Sequence, residues 1–205
     1  MESNIILALD IEEREKALRV AENVSNYVVA FKVGYPLILN NGVSVIDEVS
    51  RFGEVIVDIK IADIPDVSRN IARILSKKGA TGVIVQGFVG RDVVREVRKE
   101  VKNLYVVAEM SHPGNADYIS GLSERIALMA REEGADGIVA PATHPERISV
   151  LKKISGLKVL SPGVGTQGGS YRQAIESGAD YLIIGRTITM SPDPKQKIKE
   201  LLSQR

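Results

Sequence analysis

The chain has no cysteine. That excludes disulfides, thiolate nucleophiles and any zinc or iron–sulfur centre held by cysteine. Net charge is also nearly absent, since 27 Lys and Arg against 26 Asp and Glu leave +1 at pH 7. No global electrostatic case exists for nucleic acid or an anionic membrane, so any anion site must be local. No apolar run approaches the roughly 20 residues of a membrane span. The stretch 5–9 is too short for a signal peptide and is followed by charges. A cytoplasmic protein with no membrane or nucleic-acid partner is expected. The two histidines, His112 and His144, have no ligand-spaced partners, and no carboxylate–histidine pair points to a metal centre. Linkers, low-complexity tracts and composition breaks are missing too, and 205 residues suffice for one well-buried domain.

What is present is a short apolar run, a polar or glycine-containing turn and a longer helical stretch, repeated. Strands are expected at 5–9, 27–34, 54–59, 82–86, 104–110, 137–140, 158–161 and 181–184. Helices are expected at 12–24, in two parts over 36–51, at 65–78 and 91–101, within 116–133, and at 145–154, 171–177 and 194–202. Eight such units of about 25 residues imply a parallel α/β sheet. The fold expected is a closed (β/α)₈ TIM barrel forming a single domain over residues 1–205, with an open doubly wound sheet as the alternative.

The third strand carries the unusual chemistry. Val55-Ile56-Val57 opens as a buried strand, and Asp58-Ile59-Lys60-Ile61-Ala62-Asp63 follows. At about 3.3 Å per residue, alternation puts Asp58 and Lys60 on one face, roughly 6–7 Å apart. Other polar residues fall where strands end: Asp10 after the first, Lys32 in the second, Ser111 after the fifth, Arg186 after the eighth. Each alone has a plain structural explanation: a helix cap, a rim lysine, a turn cap, an ion pair at a strand end. Together they lie at the barrel face where active sites form. The loop Pro162-Gly163-Val164-Gly165-Thr166-Gln167-Gly168-Gly169 suits an anion, because glycine lets backbone N–H groups come close. Arg186, preceded by Gly185, can clamp a phosphate bidentately.

Six segments in this order carry a family resemblance: Leu9-Asp10, Phe31-Lys32-Val33-Gly34, Asp58-x-Lys60-x-x-Asp63-Ile64-Pro65, Met110-Ser111-His112-Pro113-Gly114, the 161–169 loop and Gly185-Arg186. They resemble the orotidine 5′-phosphate decarboxylases of the compact archaeal type, over about residues 5–188. The resemblance implies a homodimer converting orotidine 5′-monophosphate to UMP and CO₂ without metal or organic cofactor. It implies that Lys60 protonates C6 and that Asp58 sits beside the leaving carboxylate. Lys32 and Asp10 would hold Asp58, Lys60 and the ribose hydroxyls. Asp63 and Ile64 would enter the neighbouring subunit's site. Ser111 would contact the pyrimidine. Gln167, Arg186 and the 163–169 backbone would take the phosphate. One position departs: where the motif often continues Pro-x-Thr, this chain has Pro65-Asp66-Val67-Ser68, so that hydroxyl is either lost or supplied by Ser68.

Two rivals remain. The Mg²⁺-dependent 3-keto-gulonate-6-phosphate decarboxylases and hexulose-phosphate synthases share D-x-K-x-x-D. They resemble this chain less, because they carry a metal-binding Glu where it has Lys32, and a cation there opposes Mg²⁺. A non-catalytic phosphoribosyl-ligand sensor on the same barrel is the other. It gives no reason to keep a lysine between two acids.

Overall fold

The computed structural model describes residues 3–204. Eight parallel strands follow one another around a closed barrel: β1 Ile5–Ala8, β2 Ala30–Gly34, β3 Val55–Ile61, β4 Gly82–Gln86, β5 Asn103–Val107, β6 Gly137–Val139, β7 Lys158–Pro162 and β8 Tyr181–Ile184. β8 pairs with β1, which decides for the barrel over the open sheet. Between them lie α1 Arg14–Val24, α2 Tyr35–Asn41, α3 Val45–Val49, α4 Pro65–Lys77, α5 Arg91–Arg98, α6 Asn115–Tyr118, α7 Ser123–Glu132, α8 Pro145–Ser155, α9 Tyr171–Glu176, α10 Arg186–Thr189 and α11 Pro194–Leu202.

Strand alternation builds two apolar layers. Ile6, Ala8, Ala30, Ile56, Val107 and Leu160 fill the barrel interior. Their neighbours, such as Ile5, Leu7, Phe31 and Val57, face outward into the layer covered by helices. The helices meet them with matching stripes: Ala17, Ala21 and Val24 on α1, Val93, Val94 and Val97 on α5. Pro65, Pro145 and Pro194 open α4, α8 and α11, where a missing N–H costs least.

Several boundaries differ from expectation, for local reasons. β2 starts at Ala30, not 27, because Ser25–Tyr27 form a 3₁₀ turn that continues α1. There the ring of Tyr27 lies under Lys195 and Lys199, whose ammonium nitrogens are 5.3 and 5.6 Å from its centre. α5 stops at Arg98, not 101, where that guanidinium caps the carbonyls of Val101 and Lys102 at 2.6 and 2.9 Å. The 116–133 stretch is two helices separated by a 3₁₀ turn, Ser120–Leu122, containing Gly121. β5 ends at Val107 because the N–H groups of Ala108 and Glu109 share the carbonyl of Val139. β3, in contrast, runs two residues further than expected, to Ile61.

Candidate active site

The register of the first three strands assembles a charged chain at the barrel mouth. Ala8 pairs with Lys32 and Gly34 with Asp58. Lys32 and Asp58 keep the inward phase of Ala30 and Ile56, so their side chains enter the lumen. The Lys32 ammonium lies 3.3 Å from Asp10 and 3.3 Å from Asp58. Lys60 donates to both oxygens of Asp58 at 2.9 and 3.0 Å. The order is Asp10, Lys32, Asp58, Lys60. Gly34 keeps it open: a Cβ there would stand 3.0 Å from the Asp10 carboxylate and 3.3 Å from the Lys32 nitrogen.

Simple alternation does not explain how Lys60 arrives. Between Val57 and Ile61 the β3 strand advances four residues while β4 advances two, from Val83 to Val85. Inside this bulge Lys60 adopts φ 46°, the one positive φ on a non-glycine residue among those described. Such a conformation costs about 1–3 kcal/mol, and such strain clusters at functional sites. The same-face expectation for Asp58 and Lys60 holds in outcome, but a bulge delivers it.

Electrostatics keeps the two central groups, Lys32 and Asp58, charged. Burial, the largest influence, pushes the Lys32 ammonium down, but Asp58 and Asp10 together outweigh it and hold it above its ordinary value. Burial likewise pushes the Asp58 carboxyl up, and Lys32 and Lys60 outweigh it and hold it below. Asp58 is therefore held as a carboxylate against the Lys32 ammonium at neutral pH, with Lys60 on its other side. Side-chain exposure is 8% for Asp58 and 34% for Lys60, so the lysine is the member open to a ligand.

These groups open into a cleft of about 320 Å³ that also contains Ser111, Pro162, Gly163, Val164, Gln167, Gly185 and Arg186. Its apolar wall comes from Ile84, Val107, Val139 and Ile183. The glycine loop is partly closed on itself. The N–H groups of Gly165, Gly168 and Gly169 donate to the loop's own carbonyls, at 2.9, 2.7 and 3.0 Å. Gly163, Gly165 and Gly168 all have positive φ, which is what those internal bonds require. The N–H groups of Val164 and Gln167 are in none of these internal bonds, so they remain as donors for an anion beside the side chains of Gln167 and the exposed Arg186.

Asp63, Ile64, Gly165 and Gly168 do not line the cleft of a single chain. Asp63 accepts from the N–H of Ile64 at 2.7 Å, and Ile64 is 65% exposed. Ser68 is fully buried and donates to the Asp63 carbonyl at 2.8 Å. It therefore braces the Asp63 loop rather than facing a ligand, and Val67 offers no hydroxyl. Sequence reasoning passed over Glu109, Thr166 and Thr187, which all line the cleft. Glu109 is buried and accepts from Arg147 at 3.0 Å, while Arg147 also reaches Glu124 at 3.3 Å. Its signal was available, because an acid two residues beyond the inward Val107 must also point inward.

A sequence model described as the orotidine 5′-phosphate decarboxylase / HUMPS family matches residues 3–201. The chain belongs to this family. Among its members, an orotidine 5′-phosphate decarboxylase of Methanosarcina mazei is 50% identical over 212 residues, covering 100% of this chain and 96% of the relative. That of Pyrococcus horikoshii is 43% identical over 204 residues, covering 98% of each. The family's solved structures agree in shape. The orotidine 5′-monophosphate decarboxylase of Methanocaldococcus jannaschii, complexed with inhibitor BMP, superposes with a TM-score of 0.94 at 40% identity, covering 100% of this chain and 99% of that one. The Pyrococcus horikoshii enzyme gives 0.92 at 42%, covering 98% of each.

Proposed function

We propose that this chain decarboxylates orotidine 5′-monophosphate to UMP and CO₂, the last step of UMP synthesis. The observation that carries the reading is the Asp10–Lys32–Asp58–Lys60 chain opening into the cleft, in a chain 50% identical to an orotidine 5′-phosphate decarboxylase. The substrate carboxylate lies against Asp58 with C6 of the pyrimidine toward Lys60. The bond from C6 to the carboxylate breaks, CO₂ departs, and the electron pair stays on C6. The Lys60 ammonium stabilises that charge and gives C6 its proton. Lys60 then regains a proton from water. Two carboxylates about 4 Å apart at an effective dielectric near 20 repel by about 4 kcal/mol, or roughly three decades of rate at most. The rest must come from the fixed ammonium and from phosphate binding remote from the reacting carbon.

No metal or organic cofactor has a part in this chemistry. Lys32 supports that: its ammonium sits between Asp10 and Asp58, where a divalent ion would otherwise bridge them. Ser111 meets the pyrimidine, Asp10 and Lys32 the ribose, and Gln167, Gly185, Arg186 and the 162–168 loop the phosphate. Exposed Tyr35, Ile64, Val67 and Phe88 support a homodimer in which Asp63 and Ile64 complete the neighbour's site. The decarboxylase domain spans residues 1–205 and works in the cytoplasm without nucleic acid or membrane. Among the described residues no helix is long and apolar enough to cross a membrane.

The test is the ultraviolet absorbance of orotidine 5′-monophosphate with EDTA-treated protein. Loss of the orotate chromophore with UMP formed is expected. No loss, with activity on a sugar phosphate only after Mg²⁺ is added, would place the chain with the metal-dependent branch.

A further inference from the structure

We propose that Tyr35 is a positioning residue for Lys60: its phenol fixes the peptide that holds the lysine in its left-handed conformation. The inference rests on the decarboxylase reading above. Ile59 lies beyond the last residue of β3 paired with β2, Asp58, and inside the stretch where the β3–β4 register slips. Its carbonyl is therefore outside both registers. Tyr35, immediately after the Gly34 that pairs with Asp58, donates its hydroxyl to that carbonyl at 2.6 Å.

The Ile59 carbonyl and the Lys60 N–H belong to one rigid peptide plane. The angle between that plane and the Lys60 side chain is φ of Lys60, which is 46°. Holding the carbonyl thus holds φ, and φ sets where the ammonium stands relative to Asp58. An L-residue leaves this region readily unless its surroundings fix it. The bulge creates the unusual conformation, and the phenol gives its exposed carbonyl a partner. Tyr35 does not line the cleft, so within one chain its hydroxyl reaches the reaction through the Ile59–Lys60 peptide.

The test compares wild type with Tyr35→Phe, which removes one oxygen and keeps the ring. With the hydroxyl gone, kcat should fall about tenfold, or about 1.4 kcal/mol on the barrier, the scale of a single hydrogen bond. KM should stay within about twofold, because the phosphate contacts are untouched. A second measurement isolates the proton transfer: exchange of the C6 hydrogen of UMP in D₂O, followed by NMR, should slow by the same factor. A purely structural role would lower the melting temperature and leave both rates alone. Unchanged kcat and exchange in Tyr35→Phe, or a loss carried by KM, overturns the inference. Wild-type protein inert toward orotidine 5′-monophosphate overturns the decarboxylase reading, and this inference with it.

Discussion

Replacing Lys32 by Met should cost both stability and turnover. Lys32 stands 3.3 Å from Asp58 and 3.3 Å from Asp10, with a side chain only 10% exposed. At an effective dielectric near 20, each contact is worth about 5 kcal/mol of gross attraction. Desolvation of the ammonium cancels much of that, and breaking a buried pair typically costs about 3–5 kcal/mol. Here Asp58 keeps Lys60 as a partner and Asp10 is 43% exposed, which lowers the figure. A loss of about 2–3 kcal/mol follows, or about 4–12 °C in Tm for a chain of this size. The sign with pH is fixed by the two shifted groups. Asp58 is held below its ordinary value and Lys32 above its own. The wild-type advantage is therefore full between about pH 4 and about pH 10.4. It shrinks as pH falls through the folded Asp58 value or rises through the folded Lys32 value. Calorimetric melts of both proteins across pH 3–11 read it directly. A folded Lys32→Met protein melting within 1 °C of wild type at pH 7 would refute the reasoning.

Arg186→Ala should lower kcat/KM by about 10–150-fold, the range of a charged hydrogen bond. Binding of uridine, which has no phosphate, should be unchanged, and an equal loss for uridine would remove Arg186 from the phosphate. Arg147→Ala strands the buried Glu109, whose side chain is 5% exposed. A Tm drop of about 4–12 °C is expected, from about 2–3 kcal/mol. Adding Glu109→Gln should restore more than half of it, and additive losses would show that the pair is not coupled.

Charges embedded in apolar runs made the centre of the site legible. Lys32 and Asp58 each interrupt a buried strand, and a strand's alternation fixes which way they point. The same rule reaches Glu109, which is masked in the sequence by the conspicuous Ser111-His112-Pro113-Gly114 that follows. The bulge at Lys60 was not legible. No glycine marks it, and its left-handed φ depends on strand pairing and on Tyr35, far away in sequence. Nor does a glycine-rich loop reveal whether its N–H groups face outward or, as at Gly165, Gly168 and Gly169, close on the loop itself. Asp63 and Ile64 lie outside the single-chain cleft; only in the proposed homodimer would they meet a neighbour's site, and strand alternation within one chain says nothing of that.

The central claim is that the Lys60 ammonium delivers the proton to C6. Lys60→Ala tests it most directly, with turnover of orotidine 5′-monophosphate and affinity for UMP measured on the same protein. The account predicts no detectable UMP formed, while UMP still binds through Gln167 and Arg186. Appreciable decarboxylation by Lys60→Ala would contradict it.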